Sequence, residues 1–476
     1  MKLVAIFGTL LVGVLASDVQ DALQLDMLNY IETFKQETEN FASQIHTFDY
    51  AEFEAKTGMQ LDIYKDQYVL RLSEWVDDAF YETASLSIKQ HGYSVWDSSR
   101  ANKFIDIQIS QSQGVELLTL LQQMYLDEDY KSEILILNLP GKVVETFASP
   151  DELNEKELMP NSELFFSQYR TIDAIYAWFD LLLDTYPDLL TVEWIGKTYE
   201  GRDMKALRLS THGTNDEGIK TVVITAGIHA REWIATSTSC FILYRLLQDY
   251  TAGNKAIIKY MENLDFLFLP VMNPDGYAYS WTHDRLWRKN RQQTYHPRCF
   301  GIDIDHSFNY HFTNGNMPAC SEDYPGTAAF EALESYNWDT YLNTTIHTHP
   351  IYAYLDLHSY AEEILYPYAY TCDLIPRDEE NLLELAYGLG QAIRLKSGKS
   401  YEVLSACMDK GADLLPSMGA GTALDYMYSR KAWWAFVLKL RDEGHGFLIP
   451  PKYILPIGKE IYASVKYFCG FLLSDN

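Results

Sequence analysis

A series of nearly continuous apolar runs in the later part of the chain constrains its fold most strongly. The runs are TVVITAGI (221–228), LDFLFLPVM (264–272), YAYLDLHS (352–359) and AFVLKLRD (435–442). Segments of this length and composition are typical of strands that are covered on both faces. Stretches with helical periodicity lie between them, such as IDAIYAWFDLLLDTYP (172–187). The sequence therefore predicts an α/β domain with a mixed sheet and helices on both sides.

The first residues carry the features of a secretory leader. Lys2 precedes a largely apolar run that ends at Leu15, and small residues follow at Ala16 and Ser17. The run is too short to anchor a protein in a bilayer, and the alternative is a buried N-terminal helix. We predict a signal peptide at 1–16 and a secreted mature protein.

The chain has 476 residues, 47% of them hydrophobic, and a formal net charge of −28. The hydrophobic content rules out a mainly disordered chain. A strongly acidic surface repels nucleic acid and anionic lipid, so we expect neither nucleic acid nor a membrane as a partner. We expect the protein to be a monomer.

A smaller module precedes the large domain. Strand patterns at QYVLRLS (67–73), FIDIQIS (104–110) and EILILNL (133–139) alternate with a helical pattern at VELLTLLQQMY (115–125). This combination is typical of a compact α/β unit, which we place at 61–144. The remaining boundaries are an acidic N-terminal extension at 17–60, an exposed connector at 145–168 and the large domain at 169–476.

Three residues in the large domain have the chemistry of a metal site. His229 and Glu232 follow one apolar strand at a spacing of three, and His358 ends another. Two imidazoles and one carboxylate leave a fourth position for water, as in catalytic zinc sites. Asp303 is a candidate acceptor for the second ring N–H of a ligand histidine.

Seven stretches of the chain carry a resemblance to a known family. They are IGKTYEGRDMKALRLS, AGIHAREWI, NPDGYAYS, RLWRKNRQ, CSEDYPG, LHSYAEEILYPYAYT and LRDEGHGFLIP. In this order they resemble the zinc carboxypeptidases of the pancreatic A/B type. The resemblance implies a mixed eight-stranded sheet flanked by helices, preceded by a small ferredoxin-like α+β pro-domain. It also implies one zinc ion on His229, Glu232 and His358, a ligand set already established for carboxypeptidase A.

The resemblance also assigns roles to residues around the metal. Arg288 matches the arginine that polarises the scissile carbonyl and holds the oxyanion, a role that suits a permanently charged guanidinium. The positions that match substrate subsites are Arg231, Ser359, Tyr360 and Phe447.

Six cysteines become disulfide candidates in a secreted protein. The resemblance implies a disulfide between Cys299 and Cys320, whereas a pairing of Cys372 with Cys407 stays open. Cys240 and Cys469 lie in apolar segments and are predicted to be buried thiols.

The general-base position departs from the family pattern. The family carries a glutamate between a phenylalanine and LRD on its last strands, and this chain reads Leu438-Lys439-Leu440-Arg441-Asp442. Lys439 therefore replaces the catalytic glutamate. A lysine is ordinarily protonated near pH 7 and cannot accept a proton, and losing a general base typically costs roughly 10²–10⁴-fold in rate.

The substrate pocket departs from the pattern as well. Asp305 and His306 stand where the family anchors the terminal carboxylate of a peptide with asparagine and arginine. Ser417 aligns with the mobile tyrosine that closes over substrate, and Leu424 aligns with the position that sets side-chain preference. Because the charge changes at 305 and 439 are reciprocal, we also hypothesise a salt bridge between Asp305 and Lys439.

These features leave three functions open. The first is a secreted zinc-binding relative with weak or lost hydrolysis that binds a peptide or protein C-terminus. The second is an active metallocarboxypeptidase with an apolar, A-like preference and an altered mechanism. The third is a secreted protein whose metal only stabilises the fold.

Overall fold

The computed structural model describes residues 35–36, 50–125, 129–147, 162–212, 219–408 and 419–474. The expected leader, most of the N-terminal extension, the middle of the connector and Ser417 lie outside the described residues. Apart from these gaps, 62–140 form the body of one compact unit, and 51–61, 141–408 and 419–474 belong to a second unit.

The first unit is a four-stranded antiparallel sheet with two helices, and it follows a short helix α1 (Tyr50–Thr57). Its elements are β1 (Gln67–Ser73), α2 (Asp78–His91), β2 (Ser94–Ser99), β3 (Phe104–Ser110), α3 (Gln111–Gln122) and β4 (Lys131–Ile136). The strand order is β2-β3-β1-β4. The sequence β-α-β-β-α-β is the ferredoxin-like arrangement.

The core of this unit explains its strand pattern. Ile105, Ile107 and Ile109 alternate along β3, so they share one face of the sheet, and all three are fully buried. The buried Leu117 and Leu118 of α3 belong to the same core. Ser110 ends β3 and caps α3 in a reciprocal capping box with Gln113.

The second unit contains the larger sheet and its helices. Its elements are α4 (Leu139–Glu145, which begins in the first unit), α5 (Ile172–Thr185), β5 (Leu190–Lys197), β6 (Asp203–Leu209), β7 (Lys220–Ala226), α6 (Trp233–Thr251), α7 (Lys255–Met261), β8 (Leu264–Leu269), α8 (Pro274–Thr282), α9 (Leu333–Thr345), β9 (Ile351–Ser359), β10 (Glu363–Tyr366), α10 (Glu379–Ser397), β11 (Glu402–Ser405), α11 (Ala423–Arg430), β12 (Trp434–Leu440) and α12 (Ile454–Leu472). Over the described residues, no helix combines the length and apolar character needed to cross a membrane.

The eight strands form one mixed sheet in the order β11-β10-β12-β9-β7-β8-β6-β5. The central strands β12, β9, β7 and β8 run parallel to one another, and β10 pairs antiparallel with β12. These central strands are buried along almost their whole length, as the continuous apolar runs predict. The mixed eight-stranded sheet with flanking helices is confirmed.

The chain makes a tight turn as it leaves β7. Gly227 has a φ of +65°, and a Cβ there would lie 2.7 Å from Thr236 Oγ1 and 3.0 Å from the carbonyl oxygen of Pro270. Only glycine accommodates both the backbone conformation and this close approach. The turn delivers His229 to the carboxyl end of β7, beside the end of β9, where α/β sheets place their sites.

Two disulfides cross-link segments of the second unit. Cys299 bonds to Cys320, which confirms the pairing implied by the resemblance, and Cys372 bonds to Cys407. Cys240 and Cys469 are buried free thiols, as expected. Burial raises the pKa of both thiols, so they stay protonated and unreactive.

Candidate metal centre

His229, Glu232 and His358 meet at the carboxyl ends of β7 and β9. One ligand atom from each residue lies within 4.8 Å of the others, and all three side chains are buried. His229 Nδ1 lies 2.8 Å from Glu232 Oε1, and His358 Nδ1 lies 3.2 Å from Glu232 Oε2. The backbone N–H of Ser359 also donates to Glu232 Oε2 at 3.1 Å. The carboxylate therefore holds both imidazoles with their Nδ1 atoms converging.

The chemistry of this group fits a zinc ion. Two ligand atoms about 2.0–2.1 Å from a tetrahedral zinc lie about 3.3 Å apart, close to the separations of Glu232 from the two imidazoles. Burial lowers the pKa of His358, but the carboxylates of Glu232 and Asp356 raise it well above its usual value. A buried site that favours positive charge and offers two imidazoles and a carboxylate suits a divalent cation.

Asp303 lies between His229 and Arg288. Its Oδ1 lies 3.3 Å from His229 Nε2, and its Oδ2 accepts from Nε and Nη2 of Arg288 at 3.0 and 2.9 Å. Burial alone would raise the pKa of Asp303, but the Arg288 guanidinium and the His229 imidazole hold it well below its usual value. Asp303 thus stands behind one candidate ligand, where the sequence predicts it, and also fixes Arg288 beside the site.

The sequence reasoning missed a second carboxylate behind a candidate ligand. Asp356 Oδ2 lies 3.3 Å from His358 Nε2, and Asp356 is 1% exposed. The two residues are two positions apart on β9 and therefore share one face of the sheet. An acidic residue two positions before a histidine inside an apolar run is the signal that could have revealed it.

Lys439 occupies the middle of a row of three residues across the sheet. It pairs in register with His358 of β9 on one side and with Glu363 of β10 on the other. The Lys439 ammonium lies 3.7 Å from Glu363 Oε2, and the two side chains are 10% and 0% exposed. Sequence reasoning missed Glu363 because its partner is set by strand register rather than by spacing along the chain.

The hypothesised salt bridge between Asp305 and Lys439 is wrong. The described ion pairs join Lys439 to Glu363 and include none between Lys439 and Asp305. The Asp305 carboxylate instead accepts from the backbone N–H of Ala423 at 2.9 Å, at the start of α11. Reciprocal charge changes along a sequence do not identify which charges face each other.

The positions that match substrate subsites also come together. The Arg231 guanidinium lies 4.1 Å from the centroid of the Phe447 ring, and Tyr360 contacts the same ring edge-on at 5.0 Å. Ser359 is joined to the metal centre through its backbone bond to Glu232. Arg285, which sequence reasoning missed, is fully buried and donates to the backbone carbonyls of Arg231 and Phe447 at 2.7 and 3.0 Å.

The residues expected to anchor a terminal carboxylate are bonded within the protein instead. His306 Nδ1 lies 3.1 Å from the carbonyl oxygen of Ala420, and its Nε2 lies 3.9 Å from Asp303. Burial raises the pKa of Asp305. Leu424 is fully buried in α11, next to Asp425, and burial raises the pKa of Asp425 to about 7.

The similarity to known proteins agrees with this geometry. A family model described as zinc carboxypeptidase matches residues 175–464. The inactive metallocarboxypeptidase ECM14 of Saccharomyces cerevisiae is 51% identical over 389 residues, which cover 81% of this chain and 87% of that protein. An inactive metallocarboxypeptidase of Talaromyces marneffei is 36% identical over 445 residues, covering 88% of this chain and 72% of that protein.

Two crystal structures share the fold. Thrombin-activatable fibrinolysis inhibitor has a TM-score of 0.73 at 24% identity, covering 86% of this chain and 100% of its own. Carboxypeptidase A from Helicoverpa armigera has a TM-score of 0.75 at 23% identity, covering 87% of this chain and 100% of its own. The family resemblance seen in the sequence is confirmed, and the chain belongs to the zinc carboxypeptidase family.

Proposed function

We propose that this protein is a secreted, monomeric, zinc-binding member of the family in which peptide hydrolysis is weak or lost. One zinc ion on His229, Glu232 and His358 would supply Lewis-acid chemistry and an acidified water to a competent site. The relatives at 51% and 36% identity carry the word inactive in their names.

The row formed by His358, Lys439 and Glu363 carries this proposal. Hydrolysis needs a group beside the metal that accepts a proton, and the position next to His358 holds a lysine. Its ammonium is paired with Glu363, on the far side of β12 from His358 in the strand order. A carboxylate partner stabilises the protonated form of a lysine, which is the form that cannot act as a base.

The pocket beyond the metal supports the same proposal. The family resemblance calls for a positive, bidentate group that grips a terminal carboxylate, and this chain supplies Asp305 and His306. Asp305 offers a terminal carboxylate no positive charge, and His306 Nδ1 already faces the Ala420 carbonyl oxygen. A peptide that reaches the site therefore lacks the anchor that would place its last bond against the metal.

The partner that we propose is a peptide or protein C-terminus lying against the subsite residues. Arg231, Tyr360 and Phe447 pack together, and Arg231 Nη1 reaches Glu322 Oε2 at 3.3 Å. Arg231, Tyr360 and Phe447 are buried, so these contacts give the expected subsite residues a fixed mutual arrangement beside Glu232, which a C-terminus would have to reach from the open side of the site.

We propose secretion from the leader-like N-terminus together with the two disulfides, which persist in oxidising compartments. Asn343 of the sequon Asn343-Thr344-Thr345 is exposed near the end of α9. Expression in a eukaryotic secretory host tests this. We expect the protein in the medium, shortened at its N-terminus and sensitive to an N-glycosidase. Exclusively intracellular, unprocessed protein would contradict the proposal.

The proposed loss of the general base is tested by placing a glutamate at position 439 and measuring peptide hydrolysis. We would compare the parent with Lys439→Glu, with Glu363→Gln and with the combination of the two. Lys439→Gln is the matched control that removes the ammonium without adding a carboxylate. Release of the last residue from peptides with apolar C-termini is assayed at stoichiometric zinc.

We expect the double variant to gain most, because its new carboxylate has no second carboxylate opposite it. The gain should stay below the roughly 10²–10⁴-fold effect of a general base, because Asp305 and His306 still withhold the anchor. Lys439→Gln should gain nothing. An active parent that loses its turnover in Lys439→Gln or Glu363→Gln would favour the rival function, an enzyme with an altered mechanism.

A further inference from the structure

We propose that Asp356 is a positioning residue that holds His358 in the tautomer and orientation needed to keep the metal bound. The proposal rests on the zinc site of the proposed function and adds a residue that the sequence motif does not contain. Its basis is the contact between Asp356 Oδ2 and His358 Nε2 at 3.3 Å, both side chains being buried.

The orientation of the His358 ring determines which nitrogen Asp356 can influence. Nδ1 faces the centre of the cluster, 3.2 Å from Glu232 Oε2, while Nε2 faces Asp356. A carboxylate behind Nε2 favours the proton on that nitrogen and leaves the Nδ1 lone pair for a metal. Such a partner also makes the imidazole a more basic ligand.

The Asp356 carboxylate is itself held from two sides. Thr225 Oγ1 donates to its Oδ1 at 2.7 Å, and the Tyr354 hydroxyl donates to its Oδ2 at 2.9 Å. Thr225 pairs in register with Asp356 across the β7–β9 ladder. The carboxylate is therefore fixed by the central sheet rather than by a loop, so it presents one geometry to His358.

Together with Asp303 behind His229, this contact places a buried carboxylate behind each of the two candidate histidine ligands. Both are held by groups outside the cluster, Arg288 for Asp303 and the two hydroxyls for Asp356. In our proposal the general base and the group that anchors a terminal carboxylate are replaced. Each of the two candidate histidine ligands nevertheless keeps a buried carboxylate behind it. We infer that the site is built to retain its metal.

The test is the zinc affinity of Asp356→Asn in the full-length chain, measured by competition with a chromophoric chelator, and the visible spectrum of the Co²⁺-loaded protein. An asparagine amide that donates to Nε2 moves the proton to Nδ1. We therefore expect a zinc dissociation constant about 10–100-fold higher, with an altered Co²⁺ spectrum.

Asp265→Asn is the control, because Asp265 is also buried and faces a histidine, His349, at 3.7 Å. It lies on β8 opposite Thr221, at the other end of β7 from the metal centre, and its dissociation constant should match that of the parent.

A second variant decides the matter if Asp356→Asn does not fold. Thr225→Val combined with Tyr354→Phe keeps the carboxylate but removes the two hydroxyls that orient it, and we expect a several-fold loss of zinc affinity. If folded variants of both kinds match the parent in affinity and spectrum, the role of Asp356 is overturned while the proposed function stands. If the parent itself takes up no zinc, both fail together.

Discussion

The pairing of Lys439 with Glu363 predicts a strong energetic coupling between the two positions. The charges lie 3.7 Å apart, directly opposite each other on β12 and β10, with both side chains largely buried. Unit charges about 4 Å apart at an effective dielectric constant of about 20 interact by about 4 kcal/mol. Removing one partner of a buried pair typically costs about 3–5 kcal/mol where the other charge is left uncompensated.

Glu363→Gln should therefore lower the free energy of unfolding by at most about 3 kcal/mol, the low end of that range, because Lys439 retains slight exposure and makes further interactions. Lys439→Glu should cost at least as much, since it places two carboxylates opposite each other. The combined variant replaces this repulsion with a neutral amide facing a carboxylate. We expect it to be more stable than Lys439→Glu, so that the sum of the two single losses exceeds the loss in the combination by about 3 kcal/mol.

Urea unfolding at pH 7, followed by tryptophan fluorescence, measures the four proteins of this cycle. Lys439→Gln, alone and with Glu363→Gln, serves as the uncharged comparison. If the two single effects add to within about 0.5 kcal/mol of the combined effect, the two side chains do not interact, and the account of Lys439 is refuted.

Three further predictions follow from other parts of the second unit. Burial raises the pKa of Glu334 from 4.5 to about 7, so its contribution to stability is fully present below pH 4.5 and is lost as the pH rises through 7. Glu334→Gln should flatten the dependence of Tm on pH across this window. An unchanged profile would contradict the claim that the raised pKa of Glu334 contributes to the pH dependence of stability. The Cys372–Cys407 disulfide closes a separation of 35 residues, and a chain-entropy model gives it about 4 kcal/mol. Cys372→Ser combined with Cys407→Ser should lower Tm, whereas an unchanged Tm would show that the cross-link adds nothing. Because Asp305 and His306 supply no bidentate positive group, a peptide amide should bind about as tightly as the free acid in calorimetry, and a clear preference for the acid would refute the loss of the carboxylate anchor.

Much of the large sheet could be predicted from the sequence because buried parallel strands leave a direct signature. The apolar runs that contain β7, β8, β9 and β12 correspond to the four central strands of the sheet. In the smaller unit, the alternation of FIDIQIS matches β3 residue for residue. By contrast, β2 and α2 carry weaker patterns, and the sequence did not reveal them.

The candidate metal ligands could be predicted because two of them are close in sequence and the third ends a strand. The residues that determine their surroundings could not. Asp356 and Glu363 act across strands or behind a ring, so their partners depend on register and on side-chain direction. The hypothesis that paired Lys439 with Asp305 was wrong for the same reason, because charge alone does not specify which strand lies next to which.

Zinc content and peptide hydrolysis, measured on one preparation of the unmodified chain, test the central claim most directly. We expect one zinc ion per chain. Turnover of peptides with apolar C-termini, before and after trypsin treatment, should lie at least about 10²-fold below that of an active family member assayed in parallel. Fast release of terminal residues that stops when the metal is chelated would contradict the account, because a lysine paired with Glu363 would then support the chemistry of the missing carboxylate.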